Sequence, residues 1–351
     1  MRIGIVRRGY SETGGAEAYA RRFADAAITG GHTCVLYTAG DWPADQWPGE
    51  IVRVKAEGPM NFARALRTEC DVLFSLERVL RCDVYRAGDG VHAAWLERQA
   101  KFAPAWKSWL RGLYPTNRGI LALEFALLCE RGAGRVIANS KFVRKEIVRK
   151  SGYPEDRIDV IYNGLPPQPV EDGARAEMRA KLGIDEDEYV ALFAGSGWER
   201  KGLRFAIEAV RRMGEDAPLL LVAGRGKPTN AGSRVRFLGP RNDVPRLLAA
   251  ADVFVLPTIY DPFSNACLEA MAAGVPVITS RANGFAEIMD PKVEGDLLER
   301  PDDIDALIFS LCAWADPMRR ENVRERLIAK GAEFSIERNL RETLAVLERD
   351  H

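Results

Sequence analysis

Residues 252–288 read DVFVLPTIYDPFSNACLEAMAAGVPVITSRANGFAEI, and this stretch decides the fold of the chain. The apolar run at 252–257 predicts a buried strand, and a helix pattern that ends at Gly274 follows after a short polar loop. A second apolar run, at 275–280, predicts another strand. One strand–loop–helix–strand unit of this kind predicts an α/β fold with a parallel sheet.

Two carboxylates, Asp261 and Glu269, flank the loop and the start of the helix in this unit. The first N–H groups of a helix have no partner within the helix, so its N-terminus favours an anion such as phosphate. Carboxylates repel phosphate, but they accept hydrogen bonds from hydroxyl groups, as on a ribose or a hexose. The stretch therefore predicts a site for a ligand that carries both phosphate and sugar hydroxyls.

The composition bounds the class of protein. Of 351 residues, 47% are hydrophobic and 28% are charged, which is typical of a globular protein with room for two domains. No apolar run reaches the roughly 18 residues of a membrane span, and the N-terminus lacks the apolar core of a signal peptide. The 6 cysteines form no C-x-x-C pair and the 3 histidines do not cluster with them. We therefore expect reduced, mostly buried thiols in a cytoplasmic protein, and no zinc site.

Charge is distributed unevenly along the chain. Residues 1–165 carry 25 Lys+Arg and 19 Asp+Glu, whereas residues 166–351 carry 25 and 31. Chance and the demands of solubility are one explanation of this difference. The other is that the first half of the chain faces an anionic partner.

Strand and helix patterns alternate along both halves of the chain. They predict a doubly wound parallel sheet in residues 1–165 and a second one in residues 174–334. The Pro-rich, polar segment LPPQPVEDG at 165–173 is the predicted linker. From Asp303 onward the pattern is helical. Two such domains would face each other across a cleft lined by the carboxyl ends of both sheets, where ligands of this fold class bind.

A glycine-rich loop with two cations, AGSGWERKG at 194–202, follows a predicted buried strand and precedes a helix. Arg200 can bind phosphate through two hydrogen bonds and Lys201 acts as a point charge, which suits a diphosphate. The loop matches neither a P-loop nor G-x-G-x-x-G. A basic helix start that merely solubilises the loop is the alternative. Cations at a helix N-terminus oppose the macrodipole, so the pair favours a function.

A second glycine loop opens the first helix of the chain, within TGGAEAYARRFADA at 13–26. Gly14 and Gly15 allow a ligand to approach the backbone, and Glu17 lies in the first turn, where an acidic residue is favourable. A plain turn before a helix gives the same pattern. Across a cleft from the Arg-Lys pair, this loop would form a second wall of the phosphate site.

The segment RAGDGVH at 86–92 places Asp89 and His92 after a predicted strand, beside two glycines. A carboxylate and an imidazole at the carboxyl end of a strand are suitable polar catalytic groups. The alternatives are an aspartate that makes a turn and a histidine that packs or caps a helix.

The segment 98–123 contains five basic residues and no acidic residue, and Trp, Tyr and Phe side chains are interleaved with them. This composition predicts a surface that lies on an anionic membrane. A helix that packs its aromatic residues into the domain core is the alternative. We expect no nucleic acid partner, because the formal net charge of the whole chain is zero.

Together these motifs resemble the retaining GT-B glycosyltransferases of family 4, and most of all the lipopolysaccharide core glucosyltransferases of the WaaG type. The resemblance covers the whole chain, and the block DPFSNACLEAMAAGVPVITS at 261–280 is its most specific part. The other matching segments are GGAE at 14–17, GSGWERKG at 195–202 and GPRNDVPRLLAAADVFVLP at 239–257. The resemblance implies two Rossmann-like domains that face a cleft, 1–165 for the acceptor and 174–334 for the nucleotide sugar. A final helix within 335–351 would cross back and pack on the first domain.

The resemblance also implies roles for the two acids of the 261–280 block. Glu269 would bind the ribose hydroxyls of a nucleotide. Asp261 would hold the sugar and the phosphate, together with the backbone N–H groups of Phe263, Ser264 and Asn265. The family usually has Glu where this chain has Asp, which is one methylene shorter. We therefore expect the choice of donor sugar to depend on this position.

Further roles follow from the same resemblance. Arg200 and Lys201 would neutralise the diphosphate leaving group, and Gly15 would approach that diphosphate from the other domain. Arg241 would lie near the base. Asp89 would act at the sugar, so the implied catalytic set is Asp89, Arg200, Lys201 and Asp261. Glu17 and His92 are candidate contacts for the acceptor or the sugar.

The implied reaction moves a hexose, with retention of the anomeric configuration, from a nucleoside diphosphate sugar to an acceptor hydroxyl. UDP is the expected nucleotide, and the acceptor is an anionic glycan or glycolipid such as a lipopolysaccharide core. No Asp-x-Asp pair accompanies the motifs, so we expect neither metal nor cofactor. We expect a cytoplasmic enzyme that contacts the cytoplasmic face of the inner membrane peripherally through about 98–123.

Two other functions stay open at this point. One is another GT-B enzyme, such as a nucleotide-sugar 2-epimerase or a phosphorylase, although a phosphorylase would need a longer chain. The other is a protein that binds a nucleotide sugar but has lost the transfer reaction. An NAD dehydrogenase is disfavoured, because the G-x-G-x-x-G fingerprint is absent.

Overall fold

The computed structural model describes residues 1–11, 15–103, 114–167 and 173–349. The chain divides into two compact units, each of which contains one parallel β-sheet. The first unit comprises Met1–Tyr162 and Glu337–His351, and the second comprises Asn163–Ile336.

The sheet of the first unit has seven strands, which all pair in parallel. They are β1 (Arg2–Val6), β2 (Thr33–Thr38), β3 (Glu50–Arg53), β4 (Val72–Ser75), β5 (Cys82–Ala87), β6 (Ala133–Ala138) and β7 (Ile158–Val160). Their order in the sheet is β3-β2-β1-β4-β5-β6-β7, so the direction of winding reverses between β1 and β4. These two strands are almost wholly buried, because helices cover both faces of such a sheet.

Helices connect the strands of the first unit within the described residues. They are α1 (Gly15–Thr29), α2 (Pro59–Ala65), α3 (His92–Ala100), α4 (Pro115–Glu124) and α5 (Lys141–Ser151). A π-helical turn, Phe125–Cys129, continues α4.

The C-terminal helix, Ile336–Glu348, packs on the first unit. Thr343 and Tyr19 share a buried hydrogen bond of 3.2 Å between their hydroxyl oxygens. Asn339 Nδ2 donates to the carbonyl of Tyr162 at 2.6 Å. The chain therefore returns to its first unit after completing the second.

The sheet of the second unit has six strands, again all parallel. They are β8 (Val190–Ala194), β9 (Leu219–Ala223), β10 (Val235–Gly239), β11 (Val253–Leu256), β12 (Val277–Ser280) and β13 (Gly295–Leu298). The order β10-β9-β8-β11-β12-β13 repeats the winding of the first sheet, with its reversal between β8 and β11. The helices are α6 (Ala174–Leu182), α7 (Trp198–Lys201), α8 (Leu203–Met213), α9 (Val244–Ala250), α10 (Asn265–Ala272), α11 (Ile304–Ala313) and α12 (Pro317–Ala332).

The predicted fold class, two Rossmann-like parallel-sheet domains, is confirmed. One strand, β13, was not predicted: it is only four residues long, begins with glycine and pairs with β12 alone, at the edge of the sheet.

The expectation of mostly buried cysteines holds for Cys34, Cys82 and Cys267 and is wrong for the exposed Cys129 and Cys312. Within the part of the chain that the structure describes, none of the helices combines the length and the apolar character needed to cross a bilayer.

Asp252, the first residue of the stretch quoted above, is a buried carboxylate that ties several elements of the second unit together. Its Oδ1 lies 2.7 Å from Arg175 and its Oδ2 lies 2.8 Å from Arg179. Oδ2 also accepts a hydrogen bond of 2.8 Å from the backbone N–H of Val190, at the start of β8. Because Arg179 is itself only 2% exposed, this pair holds two charges out of water.

We expect Asp252→Asn to lower the free energy of unfolding by about 3–5 kcal/mol, because the buried Arg179 would lose its carboxylate partner. Urea denaturation monitored by circular dichroism measures the change. Glu299→Gln is the control, since Glu299 pairs with Arg281 on the surface, where both side chains are at least 60% exposed. Equal stability of the two variants would contradict the structural role of Asp252.

Candidate functional site

The predicted residues Arg200, Lys201 and Asp261 come together in the second unit, where the loops after β8 and β11 leave the sheet. Strand order reverses between these two neighbours. In doubly wound sheets, ligands bind at the carboxyl ends of the strands beside this reversal. The topology and the motif therefore indicate the same location.

One carboxylate oxygen is shared by two cations at this location. Lys201 Nζ lies 3.3 Å from Asp261 Oδ2, and a terminal nitrogen of Arg200 lies 3.7 Å from the same oxygen. That Arg200 nitrogen also donates to the carbonyl of Tyr260 at 2.8 Å. Asp261 is 5% exposed. Two cations against one carboxylate leave a net positive charge, which suits an anionic ligand.

Close backbone contacts hold this loop in place. A Cβ on Gly202, whose φ is +74°, would lie 1.9 Å from the carbonyl oxygen of Pro257, so only glycine fits. The carbonyl of Arg200 accepts hydrogen bonds from the Ile259 N–H at 2.8 Å and from the Thr258 hydroxyl at 2.9 Å. The loops after β8 and β11 are thus joined to each other, and the cations are carried on fixed backbone.

The expected position of the cations at a helix start needs a correction. Arg200 and Lys201 end the one-turn helix α7, and Gly202 separates them from α8. The macrodipole penalty that favoured a function therefore does not apply, since it concerns the N-terminus of a helix. Their convergence on Asp261 is the observation that now supports a function.

Trp198 supports the same loop and was not singled out from the sequence. Its indole N–H donates to the carbonyl of Gly195 at 3.1 Å. A Cβ on Gly226 would lie 2.3 Å from the Trp198 ring, so the ring lies directly against the backbone after β9. The ring also packs on Phe237 of β10, with 5.5 Å between centroids.

Ser264 and Asn265 begin helix α10, with Ser264 as the N-cap that accepts from the N–H of Cys267. The Ser264 N–H, which the resemblance assigns to the sugar and phosphate, donates at 3.2 Å to Asn283 Oδ1. Phe285 donates to the same oxygen at 3.1 Å, and Asn283 is 1% exposed. Asn283 thus holds the loop that contains Phe263. Asn283 was not singled out from the sequence.

Glu269 lies on α10 and is half-buried. Burial raises the pKa of its carboxyl group to about 7, and the charge of Lys201 acts in the opposite direction. The group is therefore a mixture of neutral and ionised forms near neutral pH, and either form can hydrogen-bond to a hydroxyl.

Arg241 follows β10, two strands away from β8 at the same carboxyl edge. Its guanidinium makes a two-point contact with Asp243, including 2.7 Å between Arg241 Nε and Asp243 Oδ1. The hydrogen bond from Arg241 lowers the pKa of Asp243.

In the first unit, Gly14 lies outside the described residues and Gly15 is the exposed first residue of α1. Glu17 is buried and pairs with Arg7 at 3.0 Å. Arg7 also pairs with Glu77 at 2.6 Å. These cross-links lie where the loops after β1 and β4 leave the sheet, at the reversal of strand order in this unit.

Asp89 is exposed in the turn that follows β5, between Gly88 and Gly90. His92 is the first residue of α3, and its Nε2 lies 3.1 Å from Asn117 Oδ1. Burial, followed by the charge of a neighbouring arginine, lowers the pKa of the His92 imidazole. His92 thus has a structural partner, whereas Asp89 presents its side chain to solvent.

The predicted membrane segment 98–123 is described only in part. Trp106, Trp109, Leu110 and Leu113 lie outside the described residues. Helix α4 forms its second half, and Tyr114, immediately before that helix, is 56% exposed. Phe125, directly after α4, is 54% exposed.

We expect the Glu269 carboxyl to titrate near pH 7 in carbon-13 NMR spectra, and Lys201→Met to move that midpoint upward, because a cation beside a carboxyl favours its ionised form. Since this pKa lies above its ordinary value of 4.5, the stability that the group contributes at acid pH is lost as the pH rises through about 7. Lys145→Met, on the exposed face of α5, is the control. A midpoint at the ordinary value, or no response to Lys201→Met, would contradict this geometry.

Among the residues that the structure describes, no group of three or more His, Cys, Asp or Glu side chains is placed to hold a metal ion. The candidate site of the second unit instead consists of cations, one shared carboxylate, a titrating carboxyl and a helix start. Such a set can bind a phosphate group and hydroxyl groups together.

Two family models match most of the chain. The family model of glycosyl transferases group 1 matches residues 188–316, and that of glycosyltransferase family 4 matches residues 13–168. The lipopolysaccharide core biosynthesis glycosyltransferase LpsD of Rhizobium meliloti (strain 1021) is 30% identical over 254 residues, which cover 68% of each chain. Other curated relatives are matched over less of their length: the chain spans about half the length of the first of them.

Two solved structures share the fold over nearly the whole chain. WaaG, a glycosyltransferase involved in lipopolysaccharide biosynthesis, has a TM-score of 0.82 and 22% identity, with 99% of each chain covered. Alr3699/HepE of Anabaena, solved in complex with UDP-glucose, has a TM-score of 0.73 and 19% identity, with 99% of this chain and 100% of that one covered. The resemblance that the motifs carry is confirmed: this chain belongs to the GT-B glycosyltransferases of family 4.

Proposed function

We propose that the protein transfers a hexose from a nucleoside diphosphate sugar to a hydroxyl group of a glycan or glycolipid, with retention of the anomeric configuration. The observation that carries this proposal is the pair of cations, Arg200 and Lys201, on the single carboxylate of Asp261. UDP is the proposed nucleotide, supported by the UDP-glucose complex of the structurally similar Alr3699/HepE.

The proposed leaving group is the nucleoside diphosphate. The bond between the anomeric carbon and the diphosphate oxygen breaks, and its electron pair stays on that oxygen. Arg200 and Lys201 stabilise the negative charge that develops there, because both are fixed before the reaction begins. The acceptor oxygen bonds to the anomeric carbon, and its proton passes to the departing diphosphate. No step in this sequence calls for a metal ion.

The two acids of the quoted stretch have separate proposed roles. Glu269 binds the ribose hydroxyls, and the charge of Lys201, which acts on the Glu269 carboxyl, supports this role close to the phosphate. Asp261 binds a hydroxyl of the sugar once the diphosphate takes over the two cations. Phe263, Ser264 and Asn265 supply backbone N–H groups to the sugar and the phosphate. The Ser264 N–H must then break the hydrogen bond that it now donates to Asn283 Oδ1. Arg241 lies near the base of the nucleotide.

We assign the acceptor to the first unit. The excess of basic residues in 1–165 supports an anionic acceptor, as does the similarity to LpsD, a glycosyltransferase of lipopolysaccharide core biosynthesis. Asp89 would act at the sugar from its exposed turn, with Glu17 and His92 as acceptor or sugar contacts. The glycine loop at Gly14 and Gly15 would approach the diphosphate.

A thermal-shift screen of nucleotide sugars identifies the donor, because a bound ligand raises the melting temperature by mass action. Release of nucleotide from that donor in the presence of EDTA then measures the chemistry. We expect Lys201→Ala to lower the rate by about 100-fold or more, and Lys145→Ala to leave it unchanged.

Three results would count against the proposal. Binding without any release would indicate a protein that only binds nucleotide sugars, and formation of an epimeric sugar would indicate a 2-epimerase. A rate lost in EDTA and restored by a divalent ion would show that a metal takes the role given to the cations.

We propose further that the protein is cytoplasmic and lies on the cytoplasmic face of the inner membrane through segment 98–123. Its basic and aromatic composition supports this, as does the exposure of Tyr114 beside α4. We expect the protein to float with vesicles of anionic lipid, and Trp106→Ala plus Trp109→Ala to abolish flotation. Phe309→Ala is the control, since Phe309 is a 75% exposed aromatic residue of the second unit. Flotation that survives the double substitution would refute this segment as the contact.

A further inference from the structure

The turn that carries Asp89 is held from both sides by side chains that come from elsewhere in the first unit. Asn139 Nδ2 donates to the carbonyl of Gly88 at 3.1 Å. Arg78 donates to the carbonyl of Gly90 at 2.7 Å. The backbone on each side of Asp89 is therefore fixed, while the Asp89 side chain itself is exposed.

The second of these donors belongs to a buried ion pair. Arg78 Nε lies 3.2 Å from Glu124 Oε2, and the two side chains are 13% and 8% exposed. Glu124 is the last residue of α4, so the pair joins the loop after β4 to the end of a distant helix. The Gly90 carbonyl thus receives its hydrogen bond from a guanidinium that cannot swing away without breaking the pair.

The same glutamate caps the helix that follows the turn. Glu124 Oε2 accepts a hydrogen bond of 2.6 Å from the N–H of His92, and Oε1 accepts one of 2.9 Å from the N–H of Ala93. Val91 occupies the N-cap position and has no side chain that could serve there. A carboxylate from another helix satisfies the orphan N–H groups of α3, and its charge is favourable at this end of the helix.

This network is an inefficient way to gain stability. Removing two charges from water costs solvation free energy, and their mutual attraction offsets little more than this cost. A well-packed apolar pair stabilises the folded state as well or better. Asn139 is 2% exposed, and among the described residues its Oδ1 has no hydrogen-bond partner, which carries a further cost. Such a network does fix the geometry of the backbone, because hydrogen bonds are directional and apolar contacts are not.

We propose that Arg78, Glu124 and Asn139 are positioning residues that hold the Asp89 carboxylate in the geometry needed for transfer. This inference rests on the proposed function, since it gives Asp89 a role at the sugar. None of the three touches the reacting atoms in this account. Each acts through the backbone of the turn from Gly88 to Gly90 or through the start of α3.

A double-mutant cycle tests the proposal, with release of nucleotide from the nucleotide sugar that the thermal-shift screen selects as the readout. We expect Asn139→Ala to lower kcat by about tenfold with the Kd of the donor unchanged, because small misplacements of a reacting group are costly. In the Asp89→Ala background, Asn139→Ala should have no further effect. Asn61→Ala, on the exposed face of α2, is the matched control.

Equal losses from Asn139→Ala with and without Asp89 would overturn the proposal, since the asparagine would then act independently of the carboxylate. An Asp89→Ala variant with the wild-type rate would also overturn it, while leaving the transferase function intact. If Asn139→Ala fails to fold, Arg78→Lys and Arg78→Ala replace it in the cycle. Lysine can still donate to Gly90, so it should recover part of the kcat that alanine loses, and equal rates of the two would refute the role of Arg78.

Discussion

Asp261 Oδ2 is shared between Lys201, at 3.3 Å, and Arg200, at 3.7 Å, and the candidate donor site depends on this contact. It joins the loops after β8 and β11 where the order of the sheet reverses. Gly202, pressed against the carbonyl of Pro257, gives the cations a fixed backbone. Because the site keeps a net positive charge before any ligand arrives, an anion that enters finds the cations already in place.

The fold could be predicted in large part because buried parallel strands appear as continuous apolar runs between helix patterns. The runs at 190–194 and 219–223 show this, since every residue of β8 and β9 is buried. The same logic fails for β13, a four-residue edge strand with little apolar surface to signal it. Strand β10 is half-buried throughout, so its sequence lacks the continuous apolar character of β8 and β9.

The candidate site could be predicted only where its residues are local in sequence. Arg200 and Lys201 stand together in one loop, so their charge was visible, but their convergence on Asp261 spans 60 residues. Asn283 Oδ1 accepts a hydrogen bond from the N–H of Ser264, 19 residues earlier in the chain. The periodic pattern of apolar residues does not indicate such a contact. The expected place of the two cations at the start of a helix was wrong, because they end the one-turn helix α7, and Gly202 separates it from α8.

In the first unit too, a candidate catalytic residue could be predicted from the sequence, but the residues that hold its turn in place could not. Asp89 was recognisable between its glycines, whereas Glu124 contacts the start of α3 from 31 and 32 residues away. Helix α4, which ends in Glu124, also forms the second half of the segment proposed to contact the membrane. One helix therefore carries both part of the proposed membrane contact and the carboxylate that caps the helix after the Asp89 turn.

Arg200 and Lys201 are proposed to bind the diphosphate of a nucleotide sugar. Isothermal titration calorimetry of the intact protein with UDP and with uridine tests it most directly, because the two ligands differ only in the diphosphate. We expect UDP to bind at least about tenfold more tightly than uridine, and the difference to shrink as salt is added. Equal affinities for UDP and uridine at low ionic strength would contradict it.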